Sequence, residues 1–157
     1  MASLALFVCT GNTCRSHMAE ALLREALPVR SDWRAASAGL AACEGARASD
    51  FAVAALDELG CDLRAHRSRP VSAELLRAAG AIVVMTGAHA EQLTQRFPLV
   101  RDRVFLLRSF DPGSTPGSDL SDPHLGSLED YRRCRDLIRR AIPGLILYLE
   151  RTAPAVC

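Results

Sequence analysis

The chain has 157 residues, of which 49% are hydrophobic and 24% charged, and its formal net charge is +1. This length and composition predict one globular domain over residues 1–157, and the weak charge argues against nucleic acid or a membrane surface as the main partner. All 19 basic residues are arginine, so a Schiff-base lysine and the lysine of a Walker phosphate loop are excluded.

The cysteine content and the apolar runs bear on where the protein acts. No basic segment precedes the first apolar run, so we expect no signal peptide, and no apolar run is long enough to span a bilayer. Six cysteines in such a chain are expected to be mostly free thiols in the cytoplasm. We expect neither a metal nor a cofactor. Four cysteines lack metal-ligand spacing and are predicted to be buried small apolar residues: Cys43, Cys61, Cys134 and Cys157.

Short apolar runs predict four buried strands. The third run, AIVVMT, is rich in β-branched residues and lies between Gly80 and Gly87. The strands are expected at residues 4–8, 34–38, 81–86 and 104–107.

Helical patterns fill the intervals between these strands. The last pattern starts at Leu128, where Ser127 and Asp130 form a capping box, and Pro143 is expected to kink or end that helix. The alternation predicts a small doubly wound α/β fold, with a four-stranded parallel sheet and helices on both faces. The other helices are expected at residues 18–27, 50–59, 73–79 and 88–97.

Two unusual segments are expected at the same edge of the sheet. Cys9 ends the first strand, and the long connection 109–127 follows the fourth strand and is rich in Gly, Pro, Ser and Asp. A connection of that length in a compact domain is usually functional or disordered. In open parallel sheets, ligands bind beyond the carboxyl ends of the strands, so both segments are candidates for a site.

The stretch CTGNTCR, from Cys9 to Arg15, joins a predicted strand to a predicted helix. Gly11 and Asn12 tolerate unusual backbone angles, so the loop can curl and direct successive N–H groups inward as an anion nest. The helix N-terminus adds positive potential, and Arg15 can clamp a phosphate with two parallel hydrogen bonds. These surroundings favour the thiolate of Cys9, to which Ser16 could donate a hydrogen bond. The pattern predicts a nucleophile beneath a bound phosphoryl group.

The stretch from Cys9 to Arg15 also has simpler interpretations. A cysteine and an arginine six positions apart often occur by chance, but here a strand precedes them, a helix follows them and Gly-Asn lies between them. A dinucleotide fingerprint fits poorly because the turn has one glycine rather than three. A C-x-x-C redox motif is absent.

Phosphoryl transfer also needs a proton for the leaving group. Asp122, in SDPHLGS on the long connection, is the best candidate for the general acid. Asp111 and Asp119 compete with it on sequence alone, and an Asp-Pro pair in a loop is by default only a turn.

These residues resemble the low-molecular-weight protein tyrosine phosphatases, including their bacterial protein-arginine phosphatase branch. The family pattern is approximately V-C-x-G-N-x-C-R-S-P-x-A-E, and this chain has VCTGNTCRSHMAE. The resemblance continues through SAG at 37–39, HRSR at 66–69 and VVMT at 83–86, and it ends with DPHLGSLEDYRRCRDLI. It covers essentially the whole chain.

The resemblance implies a role for each motif residue. Cys9 is then the nucleophile, Arg15 binds phosphate and Asp122 is the general acid. Ser16 supports the thiolate, His66 braces the loop from behind, and Cys14 can trap Cys9 as a reversible disulfide. His89, outside the motifs, is expected to be a surface or core histidine. The implied phosphate-binding residues are Thr10, Gly11, Asn12, Thr13, Cys14, Arg15 and Ser16.

Three positions depart from the family pattern. His17 replaces a proline that is preorganised for the first helical turn, so the loop is expected to be looser. His124-Leu125 stand where an aromatic residue often packs on phosphotyrosine, and Thr13 replaces an Ile or Leu and matches the arginine phosphatase branch. We expect a monomer or weak homodimer that acts on phosphorylated proteins or peptides at phosphotyrosine, phosphoarginine or both, with phosphoarginine preferred.

Two other classes remain as alternatives. An arsenate reductase shares this fold and loop but needs two further cysteines after the third strand, where AIVVMTGAHAEQL has none. A phospho-residue-binding module without catalysis would be expected to lack the nucleophile or the acid, and both are present.

Overall fold

The computed structural model describes residues 3–152. Four parallel strands form one sheet in the order β2-β1-β3-β4. This is the predicted doubly wound fold, and its four strands are confirmed. The strands are β1 (Ser3–Cys9), β2 (Trp33–Gly39), β3 (Ala79–Val84) and β4 (Val104–Leu106).

The five predicted helices are also present, together with short 3₁₀ helices at Pro98–Arg103 and Leu107–Phe110. No helix within residues 3–152 is long and apolar enough to cross a membrane. The α-helices are α1 (Arg15–Ala26), α2 (Asp50–Asp57), α3 (Ala73–Ala78), α4 (Gly87–Arg96) and α5 (Leu128–Thr152).

The alternation of β1 side chains divides the core between the two faces of the sheet. Ala5, Phe7 and Cys9 contribute to a cluster with residues of α1, α2 and α5. Leu6 and Val8 point to the other face and pack with residues of α3 and α4. With both faces covered, β1 is buried almost throughout, and its carboxyl end emerges between the helices.

Helix α5 does not end at Pro143, one of the two expected outcomes, but continues to Thr152; the other outcome, a kink at Pro143, stays a prediction. The proline removes one helical hydrogen bond, at a cost of about 3 kcal/mol. Leu145 and Leu149 lie beyond it and are fully buried, and burying each contributes about 1.5–3 kcal/mol. Packing therefore outweighs the local preference. At the other end of α5 the predicted capping box is present: Ser127 N–H donates to Asp130 Oδ2 (2.8 Å), and Asp130 N–H donates to Ser127 Oγ (3.2 Å).

The cysteine prediction is confirmed in part. Cys61 and Cys134 are buried, as expected, and both are free thiols. Cys43 is exposed, so the prediction is wrong for it, because it lies in the turn after β2 rather than beneath the sheet. Cys157 lies outside the described residues.

Candidate active site

Cys9 is the last residue of β1 and is almost fully buried, with 3% of its surface exposed. Its Sγ lies 2.9 Å from Ser16 Oγ and accepts the Asn12 backbone N–H at 3.3 Å. The predicted contact between Cys9 and Ser16 is therefore present.

Asn12 holds the loop in its curled form. Its φ is +56°, in the left-handed region that asparagine tolerates better than most residues. Its Nδ2 donates to Ser16 Oγ and to Ser37 Oγ, both at 2.9 Å. Its Oδ1 accepts from Arg69 N–H (3.1 Å), and its backbone oxygen lies 3.0 Å from His66 Nε2. The buried amide thus has a partner for both its donor and its acceptor groups, which fixes the loop.

A glycine outside the loop allows it to pack against the sheet. Gly39 ends β2 opposite Cys9, and a Cβ there would lie 2.5 Å from the Thr10 backbone oxygen and 3.1 Å from Asn12 N. No other residue fits at this position. Gly11, by contrast, does not have positive φ; within the loop only Asn12 uses the left-handed region.

Arg15 is the first residue of α1 and is buried. One guanidinium nitrogen donates to the Leu120 backbone oxygen at 2.9 Å, and the other lies 3.4 Å from Asp122 Oδ2. At the start of α1, no side chain of the described residues caps the helix at Cys14. The N–H groups of the first turn are therefore available to an anion, as predicted.

Asp122 is the carboxylate that reaches the same cleft. Its side chain is 46% exposed, and its Oδ1 accepts the His124 N–H at 3.0 Å. Asp111 is buried beside Arg140, at 3.4 Å, and Asp119 accepts the Gly87 N–H at 2.8 Å. Neither of these competitors lines the cleft. The cleft has a volume of about 190 Å³ and is lined by Cys9, Thr10, Gly11, Asn12, Thr13, Cys14, Arg15, Asp122 and His124.

Two histidines stack behind the loop. His66 contacts Asn12 as described, and its ring lies against that of His17, with centroids 3.2 Å apart. His17 is buried, and neither ring nitrogen has a hydrogen-bond partner among the described residues. Burial, with the nearby charge of His66, lowers the pKa of His17 to about 2. The imidazole that replaces the family proline therefore fills space behind the loop.

His89 is a core histidine, one of the two expected possibilities. It is 4% exposed, and its Nε2 lies 3.0 Å from Thr10 Oγ1. Burial, together with the positive charge of Arg15, lowers its pKa to about 4. His89 is therefore neutral at physiological pH and links α4 to the loop.

Cys14, although it lines the cleft, has its thiol hydrogen-bonded to residues outside the loop. Its thiol donates to Ser49 Oγ at 3.4 Å and lies 3.3 Å from the Tyr131 hydroxyl. Burial, followed by the hydrogen bond with Cys14, raises the pKa of Tyr131 to about 12. Nearby Cys134 is buried as well, which raises its pKa to about 12 and keeps it a thiol.

Four residues that position the site had no role assigned from the sequence. Ser37 accepts from Asn12 and donates to Glu20, Gly39 leaves room for the loop, and the Leu120 backbone oxygen holds Arg15. Two of these residues, Ser37 and Gly39, belong to the SAG motif at 37–39, which could have indicated their role. A small residue at a strand end predicts a close approach of another backbone. Nothing in the sequence pointed to Leu120, because a backbone carbonyl has no side-chain signature.

Comparison with known proteins assigns this fold and cleft to a family. Residues 5–155 match the family described as low molecular weight phosphotyrosine protein phosphatase. The chain belongs to this family, and the predicted class, a cysteine-dependent protein phosphatase, is confirmed.

Individual relatives lie in both branches of the predicted resemblance. The chain is 41% identical over 146 residues to a protein-arginine-phosphatase of Geobacillus stearothermophilus, covering 92% of this chain and 95% of the relative. It is 38% identical over 144 residues to the low molecular weight protein-tyrosine phosphatase A of Mycobacterium tuberculosis, covering 88% and 86%. A solved structure of YwlE arginine phosphatase, a cysteine-to-serine mutant with a phosphorylated active-site serine, has a TM-score of 0.84 at 36% identity, covering 95% and 97%.

Proposed function

We propose that this protein removes phosphate from phosphorylated side chains of proteins through a phosphocysteine intermediate on Cys9, with phosphoarginine preferred over phosphotyrosine. The observation that carries the proposal is the position of the Cys9 sulfur, which accepts the Asn12 N–H and lies 2.9 Å from Ser16 Oγ at the floor of a cleft walled by Arg15 and Asp122. The phosphorylated active-site serine in the YwlE mutant supports a covalent step at the equivalent point of that relative.

In the first step, the Cys9 thiolate attacks phosphorus in line with the leaving group. An S–P bond forms as the P–O or P–N bond breaks, and protonated Asp122 gives its proton to the departing oxygen or nitrogen. Arg15 is paired with Asp122 in the free protein. It turns its planar fork to the phosphoryl oxygens and neutralises their charge.

In the second step, the Asp122 carboxylate takes a proton from water, and the oxygen attacks phosphorus from the vacated side. The S–P bond breaks, inorganic phosphate leaves, and Asp122 is protonated again for the next cycle. The bonding pair returns to Cys9, whose thiolate is stabilised by Ser16 and the Asn12 N–H. None of these steps uses a metal.

The test of this mechanism is Cys9→Ser. We expect the variant to lose turnover by several orders of magnitude and to keep binding inorganic phosphate, because the loop and Arg15 are unchanged. Cys43→Ser, at an exposed cysteine outside the cleft, is the matched control and should keep full activity. Retained turnover in Cys9→Ser would contradict the mechanism. So would a loss of wild-type turnover on addition of a chelator.

The preference for phosphoarginine rests on the rim of the cleft rather than on overall identity, which is similar for relatives of the two kinds. Thr13 lies on that rim, with its hydroxyl 3.7 Å from Cys14 Sγ. Past Asp122, His124 and the 92% exposed Leu125 offer no phenyl, phenol or indole ring. Phosphoarginine is slender and polar, so it suits a small hydroxyl better than a branched alkyl group, and its P–N bond breaks readily once the nitrogen is protonated.

The substrate preference is tested with Thr13→Ile and Thr13→Val. Both remove the hydroxyl, and valine keeps the shape of threonine. We expect each to shift the ratio of kcat/KM for matched phosphoarginine and phosphotyrosine peptides toward phosphotyrosine by about tenfold, which corresponds to about 1.4 kcal/mol of transition-state binding. Thr115→Ile, at an exposed position away from the cleft, is the control. The proposed preference for phosphoarginine would be refuted if the wild type favours phosphotyrosine and neither variant changes the ratio of kcat/KM values.

The alternative classes have less support. An arsenate reductase relay needs accessible thiolates, and Cys134, which feels the charges of Cys9 and Cys14, is a buried thiol whose pKa burial raises to about 12. A silent binding module would not need an acid in the cleft. Turnover of a chromogenic aryl phosphate separates an enzyme from a binder.

Location and assembly form part of the proposal. A thiolate nucleophile requires a reducing compartment to stay active, and the five cysteines of the described residues are all free thiols. We infer a cytoplasmic enzyme, a single domain over residues 1–157, that acts as a monomer or weak homodimer without nucleic acid or membrane.

A further inference from the structure

A group of three metal-binding side chains lies behind the phosphate loop, on the opposite side from the cleft. His17, Glu20 and His66 each offer a ligand atom, and these atoms lie within 4.8 Å of one another. We propose that His17, Glu20 and His66 form a binding site for Zn²⁺ or a similar divalent transition metal, separate from the catalytic cleft. Two imidazoles and one carboxylate are a ligand set that zinc accepts, with water in a fourth position.

His17 supplies the observation that points to a ligand. It is 3% exposed, and both ring nitrogens are buried without a hydrogen bond. The Leu63 backbone approaches the ring but lies outside hydrogen-bond geometry. A buried imidazole without partners is destabilising, because each unmet polar group has lost its hydrogen bonds to water. Coordination of one nitrogen to a cation would satisfy it.

His66 already has the arrangement typical of a metal-bound histidine. Its Nε2 lies 3.0 Å from the Asn12 backbone oxygen, which can only accept, so Nε2 carries the proton. The neutral ring then presents the lone pair of Nδ1, which lies 4.0 Å from Glu20 Oε2. A lone pair facing a carboxylate is unfavourable unless a cation or a proton lies between them. Metal-bound histidines usually donate their other N–H to a carbonyl or carboxylate in this way.

Glu20 is supported by neighbours, as carboxylate ligands usually are. Ser37 donates to one of its oxygens and Arg24 pairs with the other. Arg24 brings a positive charge close to the site, but its side chain is 58% exposed and can turn into solvent. The side chains of His66 and Glu20 are 10% and 13% exposed, so the site is not fully closed to solvent.

Binding requires a small rearrangement. Zinc bonds of about 2.0–2.2 Å draw ligand atoms closer together than they lie here, by about 1 Å. The rings of His17 and His66 are stacked with 29° between their planes, so one ring must turn about its last side-chain torsion, which is soft for histidine. Because His66 and Ser37 both hold Asn12, the bound metal would lock the back of the phosphate loop without touching the cleft.

The test uses Co²⁺ as a spectroscopic substitute for Zn²⁺, titrated into the reduced full-length protein. We expect one equivalent to bind with the visible spectrum of a four-coordinate nitrogen and oxygen site, without thiolate charge-transfer bands, and to be displaced by Zn²⁺. A thiolate band would place the metal on Cys9 or Cys14 and overturn the proposal, as would the absence of binding.

The ligands are tested by substitution. His17→Phe keeps a stacked ring without nitrogen, and His17→Pro restores the residue of the family pattern. Both should weaken Co²⁺ binding more than about tenfold. Zn²⁺ should raise the Tm of the wild type, and neither variant should show this rise. His124→Gln, at an exposed histidine, is the control and should bind as the wild type does. Equal binding by wild type and His17→Phe would refute the site.

A measurement on the wild type avoids any dependence on the folding of variants. In a ¹⁵N spectrum of the histidine rings, Zn²⁺ should shift the signals of His17 and His66 and leave those of His89 and His124 in place. Shifts confined to His124 would show adventitious surface binding and overturn the proposal. These readouts do not involve turnover, so the outcome is independent of the proposed function.

Discussion

Asn12 shows how a single side chain fixes a catalytic loop. The sequence predicted its unusual backbone angle, and the structure adds the partners that hold it, from Ser37 on β2 to His66. Those partners are distant in the sequence and adjacent only in the fold, so residue spacing could not reveal them. Cys9, Arg15 and Asp122 were identified because their chemistry is visible in the residue types and in the motifs around them.

At the same scale, the two loop cysteines predict reversible redox control. Peroxide should inactivate the enzyme through a Cys9–Cys14 disulfide that dithiothreitol reverses, because a thiolate near a second thiol oxidises selectively. Cys14 must first leave Ser49 and Tyr131. Mass spectrometry of the oxidised protein identifies the bond.

The matched variant for this prediction is Cys14→Ser, in which peroxide should cause loss of activity that dithiothreitol does not restore. A bond from Cys9 to Cys43 or Cys61, or recovery that does not depend on Cys14, would refute the role of Cys14.

Among the elements, the connection between β4 and α5 carries the general acid. Asp122→Ala should slow substrates with poor leaving groups at least tenfold more than activated aryl phosphates, because only the former need a proton as the bond breaks. The measurement is kcat for a series of aryl phosphates of differing leaving-group pKa.

Asp119→Ala and Asp111→Ala are the comparisons for this element. Asp119 holds the start of α4 and Asp111 is buried beside Arg140, so neither should change the dependence on the leaving group. An equal loss for all substrates in Asp122→Ala would move the acid role to another residue.

Helix α5 shows how tertiary packing can outweigh a local sequence signal. A proline is a strong local signal for a helix end, but the apolar positions after Pro143 continue the buried face of the helix. Periodicity over the whole segment was the better guide, because tertiary burial outweighs one lost hydrogen bond. The strands were easier to predict, since buried parallel strands are continuous apolar runs.

For the molecule as a whole, His89 predicts a loss of stability in mild acid. The pKa of His89 is about 4 in the folded protein, against 6.5 for the free side chain, which represents the unfolded chain. Between these two pH values the unfolded chain binds a proton at His89 and the folded protein does not. The free energy of unfolding therefore falls as pH falls. From pH 7 to pH 5 this amounts to about 2 kcal/mol, at about 1.4 kcal/mol per pH unit well below 6.5. The measurement is the free energy of unfolding in urea at both pH values.

His89→Gln should remove that part of the pH dependence, because a glutamine can still reach Thr10 but does not titrate. His124→Gln, at an exposed histidine, should leave the pH dependence as in the wild type. If the difference between pH 7 and pH 5 is the same in His89→Gln and the wild type, His89 is not the group responsible.

Gly144, one residue beyond Pro143, determines how the long connection is fastened. A Cβ at Gly144 would lie 2.2 Å from the Phe110 backbone oxygen, and Asp111 pairs with Arg140 of the same helix. The other end of the connection joins α5 through Ser127. A segment that is attached at both ends to the same helix cannot move away from it as a hinged flap. Its tip, at Gly117, has open space around it. Gly117 is therefore the place to splice in a foreign peptide or new chain termini while leaving the acid where it stands.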